Sequence, residues 1–115
     1  MEVALDYKEC VKQLLCQYEY FKDEDSEVEL IFDDERMRYM ALWVGWHKYK
    51  RVHQCMVHID IVGDRIFIQC NDTEDSLVAE LVEKGIPQEN ISLGFIHPQN
   101  QENFKQESIG VLRML

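Results

Sequence analysis

Residues 51–70 read RVHQCMVHIDIV, then GD, then RIFIQC. Two runs of alternating polarity flank a Gly-Asp pair. Alternation of this kind marks a half-buried strand, because successive side chains point to opposite faces. Gly63 accepts a positive φ at the first position of a two-residue turn, so the stretch predicts a β-hairpin. Cys55, Val57, Ile59 and Ile61, with Ile66, Ile68 and Cys70, are expected on one face. Gln54, Met56, His58 and Asp60, with Arg65, Phe67 and Gln69, are expected on the other.

Residues 37–46 (MRYMALWVGW) are aromatic and aliphatic, with Gly45 suggesting a bulge or a strand end. Residues 27–33 (EVELIFD) alternate, with Val28, Leu30 and Phe32 together. A polar turn at 33–36 and a loop around 47–50 join these runs, and connections that short require antiparallel neighbours. The first 22 residues hold Tyr7, Cys10, Val11, Leu14, Tyr18 and Phe21 at spacings of three and four, an amphipathic helix over 3–22. That helix is the natural cover for the apolar sheet face. Asn71-Asp72-Thr73 can cap a second helix over about 73–84, whose stripe is Leu77, Val78, Leu81 and Val82. Lys84-Gly85-Ile86-Pro87 stops it, and one further helical turn leads into Ile91–Phe95. From His97 the chain reads as a polar loop, and its end, 109–115, is apolar again, able to dock as a strand, lie loose or rest on a partner. The expected fold is α+β in a single domain over 1–115: an N-terminal helix, a four-stranded antiparallel meander, a second helix and an irregular C-terminal tail.

Composition narrows the class without naming an activity. The 115 residues are 46% hydrophobic and 30% charged, enough apolar matter for one core. Twenty-two acids against twelve bases leave a net charge of -10. That balance argues against direct nucleic-acid binding and against adsorption to an anionic membrane. No apolar run approaches the roughly 18–20 residues that span a bilayer. The first residues carry no basic region before an apolar one, so no signal peptide is expected and the cytosol is the expected compartment. Cys10, Cys16, Cys55 and Cys70 fall in no CxxC pair, and four reduced thiols are expected.

The charge is unevenly placed. Residues 19–36 hold nine acids against Lys22 and Arg36, whereas 36–65 hold six bases against Asp60 and Asp64. This predicts a dipolar molecule. A charge run is in general a solvated face. Read functionally, Asp23, Glu24, Asp25, Glu27, Asp33, Asp34 and Glu35 form an electrostatic contact for a basic partner, a device that raises association rates. Trp46, Lys48, Tyr49, Lys50 and Arg51 are the basic-aromatic cluster, suited to an exposed hairpin, a protein contact or nucleic acid.

No catalytic or cofactor constellation emerges. His58 and Asp60 share a strand face and could pair as base and orienter, but two neighbours make a structural pair as readily as an active site. His47, His53, His58 and Asp60 are too scattered for a metal, and no Gly-rich phosphate cradle exists. Cysteines on an apolar face stay protonated and inert. Tyr39, Trp43, Met56, His58, Asp60, Phe67 and Gln69 are expected on the sheet face away from the helix, a candidate surface for self-association or docking.

The order of short motifs is more specific than any of them alone. Residues 28–33, Glu35–Tyr39, Val44-Gly45-Trp46, Arg51-Val52, His58–Ile61, Ile66–Gln69, Thr73-Glu74, Glu80-Leu81, Gly85-Ile86-Pro87 and Leu93-Gly94-Phe95 follow one another as in the XisI family. The chain resembles that family over residues 5–98, while Gln99 to Leu115 departs from its usual tail. The family consists of small cyanobacterial proteins known as fdxN element excision controlling factors. The resemblance implies an accessory role with a nuclease-fold XisH-like partner, allowing a site-specific recombinase to excise a DNA element during heterocyst development. It implies no catalytic residues and no cofactor. The expected function is therefore regulatory and non-enzymatic, acting by protein contacts. Direct DNA binding through Lys48, Lys50 and Arg51 and antitoxin-like inhibition of the nuclease-fold partner are the alternatives.

Overall fold

The alternating runs fold as four consecutive antiparallel strands. In the computed structural model, which describes residues 6–96, these are β1 (Ser26–Asp33), β2 (Arg38–His47), β3 (Lys50–Val62) and β4 (Arg65–Asn71). Gly63 takes the positive φ that the Gly-Asp turn requires. Lys48 does the same in the turn between β2 and β3, which closes to two residues.

A fifth strand joins them. β5 (Ile91–Leu93) lies parallel to β4, pairing Ile66 with Ile91 and Ile68 with Leu93. Among the described residues the sheet is therefore five-stranded and mixed, in the order β1-β2-β3-β4-β5, and not the expected four-stranded antiparallel meander. Parallel neighbours need a long crossover. Here it contains α2 (Leu77–Glu83) and the predicted extra turn, a 3-10 helix at Gln88–Asn90. The α+β class holds.

Both helices are shorter than their apolar stripes suggested. α1 (Tyr7–Cys16) begins where Asp6 accepts a hydrogen bond from the Lys8 amide at 3.0 Å. It ends in tight turns, with Tyr18 N–H donating to Leu15 and Glu19 N–H to Cys16. Tyr18 stays in the core, whereas Phe21 leaves the stripe and is 52% exposed. The expected start at residue 3 lies outside the described residues. α2 is capped by Ser76, whose hydroxyl accepts from the Ala79 amide. Asn71 and Thr73, the expected caps, instead bond each other and the backbone in the turn before it. Its end is as read: Gly85 has positive φ, and Ile86 N–H reaches back to the Leu81 carbonyl.

A single core forms between the helices and one sheet face. Val11, Leu14, Leu15 and Tyr18 meet Leu77, Val78 and Leu81 over Tyr39, Ala41, Val57, Ile59, Ile66 and Ile68. Among the described residues, both helices lie on this one face and the other face has no helix. No helix is long and apolar enough to cross a membrane, among the described residues. The polar loop from His97 and the apolar end at 109–115 lie outside them.

Candidate functional site

Two irregularities decide which side chains reach the helix-free face. β2 and β3 shift register where Leu42 pairs with Cys55 and Ala41 with Val57, leaving Met56 as the extra residue. β3 and β4 shift where His58 pairs with Cys70 and Ile59 with Ile68, leaving Gln69 extra. An unpaired extra residue reverses the alternation beyond it.

The register carries Ile31, Met40 and His58 into one row across the sheet, and Asp33, Arg38, Asp60 and Phe67 into the next. At the centre of these rows lies the Asp60 carboxylate, 6% exposed although it belongs to the open face. Its Oδ2 accepts from Arg38 at 2.8 Å and from Gln69 at 3.2 Å. Its Oδ1 pairs with His58 Nε2 at 2.8 Å. A buried carboxylate needs such donors, and Asp60 has three from its own sheet. His58, Asp60, Phe67 and Gln69 thus gather as the sequence suggested, with Arg65 stacked over Phe67 and bonded to Ser92. Arg38 belongs to the cluster and was missed, because it comes from a strand whose register the alternation did not set. Gln54 does not join it and bonds Asp72 instead.

Three of the expected face residues lie elsewhere. Tyr39 is 0% exposed and sits in the core, its hydroxyl donating to Asp34 at 2.8 Å. Trp43 pairs with Val28 and packs against the core, as does Met56 at the bulge. β2 is apolar on both faces, so its sequence gave no contrast from which to assign them. Burial and the bond to Asp34 push the Tyr39 phenol well above its ordinary pKa. Tyr18, bonded to Asp75 at 2.8 Å, is pushed up likewise by burial.

Cys55 and Cys70, expected on the apolar face, are half-buried and stand outside the core cluster that contains Cys10. The two register shifts account for the change. The Cys70 thiol donates to the Cys55 carbonyl at 3.4 Å, and burial together with Cys70 pushes the Cys55 thiol up to about 11. A thiol raised in this way, as that of Cys55 is, is not an activated nucleophile.

The acidic segment is divided by the fold. Asp23, Glu24, Asp25 and Glu27 cluster at the start of β1, and Asp33, Asp34 and Glu35 at its far end. At roughly 3.3 Å per residue the strand separates Glu27 from Asp33 by about 20 Å. Several acids are internally engaged. Asp23 caps the Asp25 and Ser26 amides, and Asp33 accepts from the Glu35 and Arg36 amides. The Arg36 amide foremost holds the Asp33 carboxyl below its usual range, and the Lys12 ammonium at 2.9 Å does so for Asp34. Glu24, Glu27, Glu29 and Glu35 are exposed and have no such partner among the described residues.

The expected separation into an acidic and a basic end does not hold. Lys22, Asp23, Glu24, Asp25, Glu27 and Glu29 line a shallow cavity of about 520 Å³ together with Arg51. Arg51 also stacks on Trp46 and donates to the Gly45 carbonyl. The basic hairpin therefore stands beside acids, with Tyr49 and Lys50 exposed at its tip. This arrangement opposes phosphate approach. Among the described residues no group of three ligands could hold a metal.

The family model described as XisI protein matches residues 1–106. The chain belongs to the XisI family. The match runs past residue 98, where the resemblance in the sequence ends, and into the divergent tail. The crystal structure of an XisI-like protein from Anabaena variabilis is 39% identical, with a TM-score of 0.80 over 84% of this chain and 91% of that one. The fdxN element excision controlling factor XisI from Anabaena variabilis is 30% identical, with a TM-score of 0.72 over 82% of this chain and 93% of that one. No curated protein matches. The family match thus spans the residues of both helices, the five strands and the polar cluster.

Proposed function

We propose that this chain is a non-enzymatic accessory protein in the control of DNA-element excision, working through protein contacts with an XisH-like partner. The observation that carries the reading is its family membership, with 30% identity to a protein named as an excision controlling factor. Two features of the molecule support action by contact. Among the described residues one sheet face carries no helix, and it mixes Ile31, Met40 and Leu42 with a polar centre, the composition of a docking surface. The titratable pair on that face, His58 and Asp60, is held within a hydrogen-bonded cluster of its own sheet, as structural groups are.

Co-expression with an XisH-like protein and an excision reporter tests the reading. Affinity capture of this chain is expected to retain the XisH-like protein, and deletion of this chain is expected to abolish excision. Failure of capture with undiminished excision would overturn it.

A further inference from the structure

β1 is an outer strand of the sheet, paired along its length with β2 and, among the described residues, bridged on its outer side only where Lys22 stands opposite Glu27. Its outer side is partly covered at the start. Val28 N–H donates to the Phe21 carbonyl at 3.3 Å, and Asp23 N–H donates to the Ser26 carbonyl at 2.9 Å. These bonds identify the even-numbered residues as those whose backbone groups point away from β2, because direction alternates along a strand. The next two are Leu30 and Phe32. Among the described residues, nothing pairs with their outward amides and carbonyls. The side chains beside them are apolar and accessible: Ile31 is 44% exposed and Phe32 39%.

An open, apolar strand edge is a template for another strand unless charge or proline blocks it. No proline stands here, and although Lys22 stands opposite Glu27 and Arg36 bonds Asp33, the exposed side chains along this edge are acidic in excess. Glu27 and Glu29 share a face with Ile31 along β1, and Glu24, Asp25 and Glu35 extend the acid at both ends. A second copy pairing antiparallel about Ile31, which matches Leu30 with Phe32, would set Glu29 opposite Asp33 twice, and like charges directly opposite destabilise a sheet. An alternating segment with Lys or Arg toward Glu29 and Asp33, and apolar residues toward Leu30 and Phe32, meets both conditions.

We propose that the outer edge of β1 receives an extended basic segment of a partner protein by strand addition, with the Leu30 and Phe32 backbones as its hydrogen-bonding groups. The proposal rests on the reading that this chain acts through protein contacts, and it supplies the chemistry of the contact. Backbone bonds set the affinity of such an addition, and side-chain charges select the guest.

The probe is an acetylated lysine-valine hexapeptide of alternating sequence, with a glutamate-valine counterpart as control, followed by amide NMR. The basic peptide is expected to shift and protect the Leu30 and Phe32 amides, and the acidic one to leave them unchanged. Glu29→Lys is expected to weaken the basic peptide about threefold, the effect of reversing one close charge. Phe32→Pro removes an outward amide while sparing the β1–β2 ladder, and is expected to abolish the protection. Equal binding of both peptides, shifts confined to other strands, or dimers formed through β1 would overturn the proposal. If an XisH-like protein is still captured by the Phe32→Pro chain at full yield, the edge is refuted while the partner reading stands. If none is captured by the unmodified chain but the basic peptide still protects Leu30 and Phe32, the reverse holds.

Discussion

Replacing Gly45 by alanine should cost far more than replacing Gly63, although both glycines have positive φ. Gly45 stands opposite Ser26 at the start of β1, with φ of 153°. A Cβ there would lie 2.1 Å from the Asp25 carbonyl oxygen and 2.5 Å from the Ser26 Cα. Both are backbone atoms, which cannot swing aside as a side chain can. The same Asp25 carbonyl accepts from the Trp46 amide at 3.0 Å, so relief of the clash breaks a hydrogen bond. Gly63 has φ of 62° and nothing within 4 Å of its added Cβ. Gly63→Ala therefore carries only the left-handed penalty, about 1–2 kcal/mol. Gly45→Ala adds overpacking of about 1–3 kcal/mol and a hydrogen bond of about 1 kcal/mol, for a total of about 3–6 kcal/mol. For a domain whose whole stability is about 5–15 kcal/mol, that difference is large. Urea unfolding followed by tryptophan fluorescence measures it, and equal destabilisation by the two variants would refute the steric account. The Gly45 contact also presses the acidic loop 23–27 against the basic hairpin, so the same variant should loosen the Arg51 cavity.

The added Cβ in Gly94→Ala meets Gln69 Oε1 at 2.2 Å, a side-chain atom that can move. The expected result is a folded protein that loses the Gln69–Asp60 bond and about 1 kcal/mol, read by urea unfolding. Leu15→Ala, in the core, should cost about 2–5 kcal/mol in the same assay. Ile31→Ala, on the open face, should stay within about 1 kcal/mol of the parent and yet reduce capture of the XisH-like partner. The phenols of Tyr18 and Tyr39 ionise at higher pH in the folded chain than in the unfolded one, from burial first and their carboxylate partners second. Their contribution is complete below the unfolded value near pH 10 and is lost as pH rises above it. Thermal melts should fall steeply above about pH 10, and Tyr39→Phe should flatten that fall.

The hairpin at 51–70, the stop signal after α2 and the family membership were all legible in the residues, because turns, caps and short alternating runs are set by neighbours in the chain. The grouping of His58, Asp60 and Gln69 was legible for the same reason, since an adjacent strand carries each of them. Neither the burial of Tyr39 nor the part played by Arg38 could be read that way. β2 is apolar on both sides, and only its pairing with Val28 and Ile59 says which side is covered. A three-residue β5 shows no alternation of its own and exists because β4 presents an edge to it across the crossover.

Local chemistry, then, determined that this chain makes a hairpin, two helices and a half-apolar sheet, and to which family it belongs. The tertiary structure alone decided what each face carries. Two single-residue register shifts, at Met56 and Gln69, turn Cys55 and Cys70 out of the core face and leave Asp60 ringed by donors. The net charge of -10 is likewise a property of composition, whereas its division between the two ends of β1, with Arg51 against one of them, is a property of the fold. The physical reason is the same in each case. Side-chain direction in a sheet depends on a count of residues between paired positions, and that count is set by distant strands.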